Sequence, residues 1–231
     1  MANEARVVWN RRRLLLPEME GMMARWYARQ RGTPSQIAAY REQAAKLTGD
    51  LQNGAEVLEV APGPGYLAIE IARLGRFQVT GLDISRTMVD IARENATKAG
   101  VTIGFRHGDS SSMPFADESF DLIICQAAFK NFRQPVSALD EIRRVLRQGG
   151  LAVIQDLNRE ASADDIDQEV KGQHLGALNG FITKRVLAGL RRRAYSKAQF
   201  EHLVAESNFS KCAITTEGIG LEVRLVKRSS S

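Results

Sequence analysis

Two cysteines, three histidines and six prolines are all that the 231 residues hold of these types, and each shortage closes off a class of answer. Cys125 and Cys212 stand in separate apolar stretches, so no disulfide framework braces the chain, and both read as reduced packing residues. His107, His174 and His202 are scattered without His/Cys ligand spacing, so no metal site is expected. A Gly-x-Ser-x-Gly elbow for nucleophilic catalysis is also missing. No apolar run approaches the roughly 18 residues of a membrane span, and Leu14, Leu15 and Leu16 make too short a core for a leader, which predicts a cytoplasmic chain.

What remains is an ordinary globular composition: 44% hydrophobic and 26% charged residues, enough for one domain with a full core. The net charge of +5 comes mainly from Arg11 to Arg13 and from Lys184, Arg185 and Arg191 to Arg193. A solvated helix face accounts for such clusters more simply than a phosphate grip, so no nucleic-acid partner is expected.

From Glu56 to Asp156 short apolar runs alternate with segments of helical period, the pattern of a parallel sheet covered on both faces. The expected strands are 56–60, 78–83, 102–108, 120–125 and 151–156, followed by an antiparallel pair at 211–216 and 221–227 around Gly218 to Gly220. Ser85 is placed to cap one intervening helix, and Pro135 opens another that carries Leu139, Ile142 and Leu146 and stops before Gly149 and Gly150. Residues 160–193 read as a helical insertion divided by Gly172, Gly176 and Gly180, and Ser196 to Gln199 matches a capping box. Residues 1–50 read as a helical lid, with Met19, Met22, Met23 and Trp26 on one buried face and Pro34 opening a second helix; residues 51–231 form the main domain.

The chemistry concentrates in VLEVAPGPGY, residues 57–66. Gly63, Gly65 and Ala68 fit the G-x-G-x-x-G/A turn that follows the first strand of nucleotide-binding sheets, and Asp83 ends the next strand 20 residues after Gly63, where a ribose hydroxyl binder belongs. Glu59 then discriminates among nucleosides. A carboxylate beside the loop repels a pyrophosphate and attracts an ammonium, and Pro64 removes an N–H that a phosphate would use. S-adenosylmethionine has adenosine, an amino-acid head and no phosphate.

The same stretches resemble class I S-adenosylmethionine-dependent methyltransferases of the ubiquinone/menaquinone methyltransferase-like branch. The likeness rests on Glu59 to Tyr66, on GLDIS around Asp83, on HGDSSSMPFADESFDLIIC and on RVLRQGGLAVIQDL, together about residues 54–160. One departure is Ala61, where the family usually has glycine. The resemblance implies an α/β, Rossmann-like, seven-stranded and mostly parallel sheet with an antiparallel last strand. It implies Glu59 near the methionyl end and Ala61, Gly63 and Gly65 under the cofactor. Asp83 would hold the ribose hydroxyls, Ile84 and Met88 would flank the adenine, Asp109 and Ser110 would meet its edge, and Gln126 would face the methyl group.

The expected reaction is in-line methyl transfer to a small, partly apolar metabolite, releasing S-adenosylhomocysteine from a monomer or homodimer. Candidate bases are His107, Lys130, Asp156 and His174. The acceptor pocket is expected under the lid and the insertion, lined by Met22, Met23, Trp26, Tyr27, Phe129, Phe132, Leu178 and Phe181. Two rivals share the glycine spacing or the basic clusters. A nicotinamide-dependent oxidoreductase lacks support because no tyrosine is followed four positions later by lysine, and an RNA or other nucleic-acid methyltransferase lacks the Asn/Asp-Pro-Pro-aromatic stretch where CQAAFKNF stands.

Overall fold

The computed structural model describes residues 19–172, 176–209 and 211–228. Two helices, α1 (Gly21–Arg31) and α2 (Pro34–Thr48), precede an alternation of β1 (Glu56–Val60), α3 (Tyr66–Arg73), β2 (Gln78–Asp83), α4 (Arg86–Ala99) and β3 (Gly104–His107). Then come β4 (Phe120–Gln126), α5 (Pro135–Val145), β5 (Leu146–Leu157), α6 (Ala163–Gly172), α7 (Ala177–Arg191), α8 (Lys197–Glu206), β6 (Ala213–Glu217) and β7 (Gly220–Val226). The seven strands form one sheet in the order β3-β2-β1-β4-β5-β7-β6, parallel except for β7, which runs against both neighbours. The strand order reverses direction between β1 and β4, the place where open sheets of this kind leave a crevice at the strand ends.

Period-two alternation distributes the strand residues between two cores. Leu58, Val60, Ile123, Cys125 and Ile154 face α5 and α8, whereas Val57, Val79, Leu122, Ile124 and Val153 face α2, α3 and α4. Most of these are wholly buried, and each such Leu, Ile or Val contributes roughly 1.5–3 kcal/mol relative to exposure. Both cysteines are free, and burial pushes the Cys125 thiol up.

Local signals behave as their chemistry requires at most helix starts. Ser85 Oγ accepts from Met88 N at 3.0 Å, Ser196 and Gln199 form a reciprocal capping box, and Thr33 caps α2 ahead of Pro34. Four readings need correction. The expected stop at Gly149 and Gly150 is a bulge: α5 ends at Val145, and β5 begins at once, pairing Leu146 with Phe120 before a register shift to Leu151 opposite Leu122. The glycines belong to that bulge because Gly149 takes φ 77°, and because Gly149 N and Gly150 O bond to the backbone of Lys227. Gly180 does not divide the insertion; it lies inside α7, facing Val170 of α6. The strand expected at 102–108 is confined to 104–107, at the sheet edge.

The fourth correction concerns α1. Its buried face is made of Ala24 and Ala28, which pack on Met88 and Ile91 of α4. Met22, Met23 and Trp26 point outward and are 88%, 63% and 56% exposed. Small residues win the buried position because they let α1 sit close to α4, and a stripe of large side chains on the other face has nothing to pack on. The segment before α1 is fixed to α4 by polar bonds: Glu20 accepts from Arg86 N at 2.9 Å and Thr87 N at 3.1 Å, and Ser85 Oγ donates to Met19 O at 2.8 Å. With Met88 N on Ser85, the opening amides of α4, which a helix cannot satisfy internally, all have partners.

Candidate functional site

A cavity of about 260 Å³ opens at the carboxyl ends of β1, β2 and β4, under the turn between α1 and α2. Its floor is the β1–α3 loop. Ala61 and Gly63 take φ of 57° and 55°, and Ala61 N donates to Leu82 O at 2.7 Å, which keeps the loop against β2. A Cβ on Gly63 would meet nothing nearer than Tyr27 Cε1 at 4.0 Å, so its bare face is turned to the cavity. Gly65 does something else: a Cβ there would come within 2.8 Å of the Phe105 ring and 3.0 Å of Ala92. It permits close packing of α3 and is not part of the cavity wall.

The loop amides are already committed to protein oxygens. Gly63 N donates to Asp83 Oδ2 at 3.0 Å, Gly65 N to Pro62 O at 3.0 Å and Ala68 N to Glu59 Oε2 at 2.9 Å, while Pro64 has no N–H. With two of these amides on carboxylates and no N–H at Pro62 or Pro64, the loop ahead of α3 offers less to a phosphate than a free glycine turn would. Asp83 accepts a second bond, from Ser85 N to Oδ1 at 2.9 Å. Each of its oxygens therefore keeps one lone pair, a suitable set for two neighbouring hydroxyls. Desolvation raises the Asp83 pKa, and the two backbone bonds oppose the rise.

Glu59 is buried, with Ala68 N as its hydrogen-bond partner and no ion-pair partner among the described residues. Desolvation, together with the nearby charge of Asp83, pushes its pKa up to about 8, and the Ala68 bond only partly offsets this. The carboxyl is thus mostly neutral at pH 7, which amends the electrostatic reading of the sequence: the negative charge is latent and appears when a cation arrives beside it.

Of the residues expected around a cofactor, Glu59, Ala61, Gly63, Asp83, Ile84, Met88, Asp109, Ser110 and Gln126 converge on this cavity, and Gly65 lies behind it. Asp109 spends Oδ1 on the N–H and hydroxyl of Ser111, both at 2.8 Å. The expected bases do not converge. His107 is exposed on edge strand β3, and Lys130 and Asp156 are not in the cavity wall. They are locked together below it: Lys130 Nζ donates to Asp156 Oδ1 at 2.8 Å and to Ala127 O, and Asp156 Oδ2 accepts from Lys130 N at 2.9 Å. This buried pair pins the loop after β4 to β5. His174 lies outside the described residues.

Of the expected acceptor contacts, Tyr27 and Phe132 reach the cavity. Phe129 is sealed in the core against Phe200 and Tyr195, and Phe181 is exposed on α7. The side chain of Leu178 lies outside the described set. In their place the tertiary structure brings Arg31, Tyr40, Tyr66 and Arg133 to the wall. Arg31 donates to Tyr40 Oη at 2.6 and 3.0 Å and has no carboxylate partner among the described residues. Desolvation raises the Tyr40 pKa against the pull of Arg31, so it stays a neutral phenol with its own proton to give. Tyr66 Oη donates to Ala28 O at 3.0 Å, tying α1 to the loop. Arg31 and Tyr40 flank the helix start at Pro34, which is legible in the sequence, but no local signal places that turn above β1.

The donor set fits a phosphate-free adenosine carrying an amino acid: paired lone pairs at Asp83, a latent anion at Glu59, a cation at Arg31 with no carboxylate partner among the described residues, and a bare loop between them. Among the described residues no helix is long and apolar enough to cross a membrane, and no group of three or more His, Cys, Asp or Glu is placed to hold a metal.

Residues 58–154 match the family described as "Methyltransferase domain". A demethylmenaquinone methyltransferase of Deinococcus radiodurans is 37% identical over 107 residues, 46% of this chain and 44% of the relative. The ubiquinone/menaquinone biosynthesis C-methyltransferase UbiE of Bdellovibrio bacteriovorus is 32% identical over 149 residues, 64% and 59% of the two chains. The chain thus spans about half the length of the curated relatives it matches. A crystal structure of a SAM dependent methyltransferase from Aquifex aeolicus superimposes with a TM-score of 0.66 at 18% identity, over 87% of this chain and 96% of that one, a likeness of fold alone. Over the matched stretch the resemblance carried by the motifs, to class I methyltransferases of the ubiquinone/menaquinone branch, is shown.

Proposed function

We propose that this chain is an S-adenosylmethionine-dependent methyltransferase whose acceptor is a small, partly apolar molecule of the hydroxylated-ring, quinol type. The observation that carries the reading is the loop itself: the Gly63, Gly65 and Ala68 amides are bonded to Asp83, Pro62 and Glu59, and two carboxylates stand where a pyrophosphate would lie. The names of the relatives favour a quinone-type acceptor, and the mixed apolar and aromatic wall of the cavity accommodates one.

On this reading Asp83 accepts from both ribose hydroxyls. Glu59 gives up its proton to pair with the ammonium, and Arg31 receives the carboxylate with the Tyr40 hydroxyl beside it. When bound, the cofactor supplies a methyl group on a sulfonium, already activated toward displacement. The protein's remaining work is alignment and exclusion of water. Tyr27, Tyr66 and the Met19 segment close over the loop, and Gln126 and Phe132 bound the acceptor side. Burial holds Tyr40 and Tyr66 as neutral phenols, and the locked Lys130–Asp156 pair stays out of the cavity wall, so none of these four acts as the acceptor's base.

Calorimetric titration with S-adenosylhomocysteine and with NADH tests the cofactor, and radiolabelled methyl transfer to a panel of quinols and phenols tests the acceptor. Binding of the nucleoside thioether with no uptake of NADH is expected. NADH binding with indifference to the thioether refutes the reading.

A further inference from the structure

Four side chains from four elements, three amides ending on a carboxylate, form one continuous line at the carboxyl edge of the sheet. Gln126 of β4 donates from Nε2 to Gln43 Oε1 at 2.9 Å. Gln43 of α2 donates from Nε2 to Gln155 Oε1. Gln155 of β5 donates from Nε2 to Glu222 Oε2 of β7 at 2.7 Å. Glu222 Oε1 takes the guanidinium of Arg224 at 2.7 Å. All four are partly buried, with Gln126 in the cavity wall.

The direction of every bond follows from the last member. An ionised carboxylate only accepts, and the Arg224 hydrogen bond and charge hold Glu222 ionised against the desolvation that would raise its pKa. Gln155 must therefore turn Nε2 toward Glu222, which leaves its Oε1 for Gln43. Gln43 must then present Nε2 to Gln155 and Oε1 to Gln126. Gln126 in turn spends Nε2 on Gln43, and its Oε1 is left over. That oxygen has no partner among the described residues, yet no described side-chain polar atom is both sealed from solvent and unpaired. It opens onto the cavity.

We propose that Glu222, acting through Gln155 and Gln43, is a positioning residue that fixes the amide of Gln126 as a hydrogen-bond acceptor toward the methyl acceptor's pocket. The site therefore selects molecules that present a hydroxyl or N–H there over their ethers or ketones. This rests on the proposed function for its meaning, although the polarity of the line exists without it.

Substitution Glu222→Gln makes a specific and testable change. Arg224 can only donate, so the oxygen of the new amide stays with it and the new NH₂ faces Gln155. Each glutamine then turns over in sequence, and Gln126 presents Nε2 to the cavity in place of Oε1. Two probes that differ in having or lacking a donatable hydroxyl proton, 1-naphthol and its methyl ether 1-methoxynaphthalene, read the result, titrated with and without saturating S-adenosylhomocysteine. The wild-type protein is expected to bind the naphthol about tenfold more tightly. In E222Q the ratio falls to within about twofold, because either oxygen can accept from the exposed amide. The Gln126 side-chain NH₂ signals also exchange faster with solvent in that variant, and affinity for S-adenosylhomocysteine is unchanged since Asp83, Glu59 and Arg31 are not in the line. Equal binding of the two probes by wild type, or an unaltered ratio in E222Q, overturns the inference. A ratio that switches in a protein that ignores S-adenosylhomocysteine refutes the cofactor assignment and leaves the amide line standing.

Discussion

Glu59 should behave as a stored destabilisation that cofactor binding releases. Its pKa of about 8 exceeds the ordinary carboxylate value of 4.5 by about 3.5 units. At ~1.4 kcal/mol per unit that gap is about 5 kcal/mol, an upper figure since water in the adjoining cavity relaxes part of it. The folded state binds the Glu59 proton more tightly than the unfolded chain. Its contribution to stability is therefore complete below pH 4.5 and is lost progressively as pH climbs to about 8. Replacing the carboxyl by an amide, Glu59→Gln, removes the titration and leaves a group that burial penalises less. Urea unfolding from pH 5 to 9 should give curves for wild type and E59Q that diverge as pH rises, with the variant more stable by roughly 2–5 kcal/mol at pH 9. Binding should show the converse. An ammonium beside Glu59 favours the ionised form, so at pH 7 uptake of S-adenosylhomocysteine expels close to one proton per site. Its affinity improves up to about tenfold per pH unit between 6 and 8, until the ligand's own ammonium titrates. Calorimetry in buffers of different ionisation enthalpy counts that proton directly, and E59Q should bind weakly with no proton release. A wild-type affinity flat from pH 6 to 8, or a stability difference from E59Q that does not grow with pH, would show that Glu59 is already ionised and would refute the reasoning.

Asp83→Ala should weaken S-adenosylhomocysteine binding by roughly 1–3 kcal/mol in the same titration, through loss of hydrogen bonds to a charged acceptor; unchanged affinity removes Asp83 from the site. Ala61→Gly should stabilise the protein by about 1 kcal/mol in urea unfolding, because an L-residue at φ 57° carries a steric cost that glycine does not; a loss of stability would mean the methyl is packed rather than strained. Asp156→Ala leaves the Lys130 cation buried without its partner and should cost about 3–5 kcal/mol of stability while affinity for S-adenosylhomocysteine in the folded protein is kept. Lost turnover at full stability would instead make the pair catalytic.

Chemistry carried by near neighbours in the chain was legible without coordinates. Glu59, Ala61, Gly63 and Asp83 are recognisable because a strand end, a glycine turn and a helix start are local events, and parallel pairing then brings the ends of adjacent strands together. Ser85 and Ser196 are legible for the same reason: a cap acts within three residues. Gly149 and Gly150 misled because glycine serves a helix stop and a strand bulge alike, and only pairing with Lys227 chooses between them. Met22, Met23 and Trp26 misled because helical period identifies a stripe but not the surface it meets, and here the alanine face found α4 first.

What this sequence determined by itself was the order of strands and helices, the composition of the loop and the carboxylates beside it, since each depends on dihedral preference, spacing and the solvation of single side chains. The tertiary structure decided the protonation of Glu59, the arrival of Arg31 and Tyr40 above β1, the locking of Lys130 onto Asp156 and the line from Glu222 to Gln126. These depend on burial and on partners tens of residues distant along the chain, and both are properties of packing that no local stretch contains.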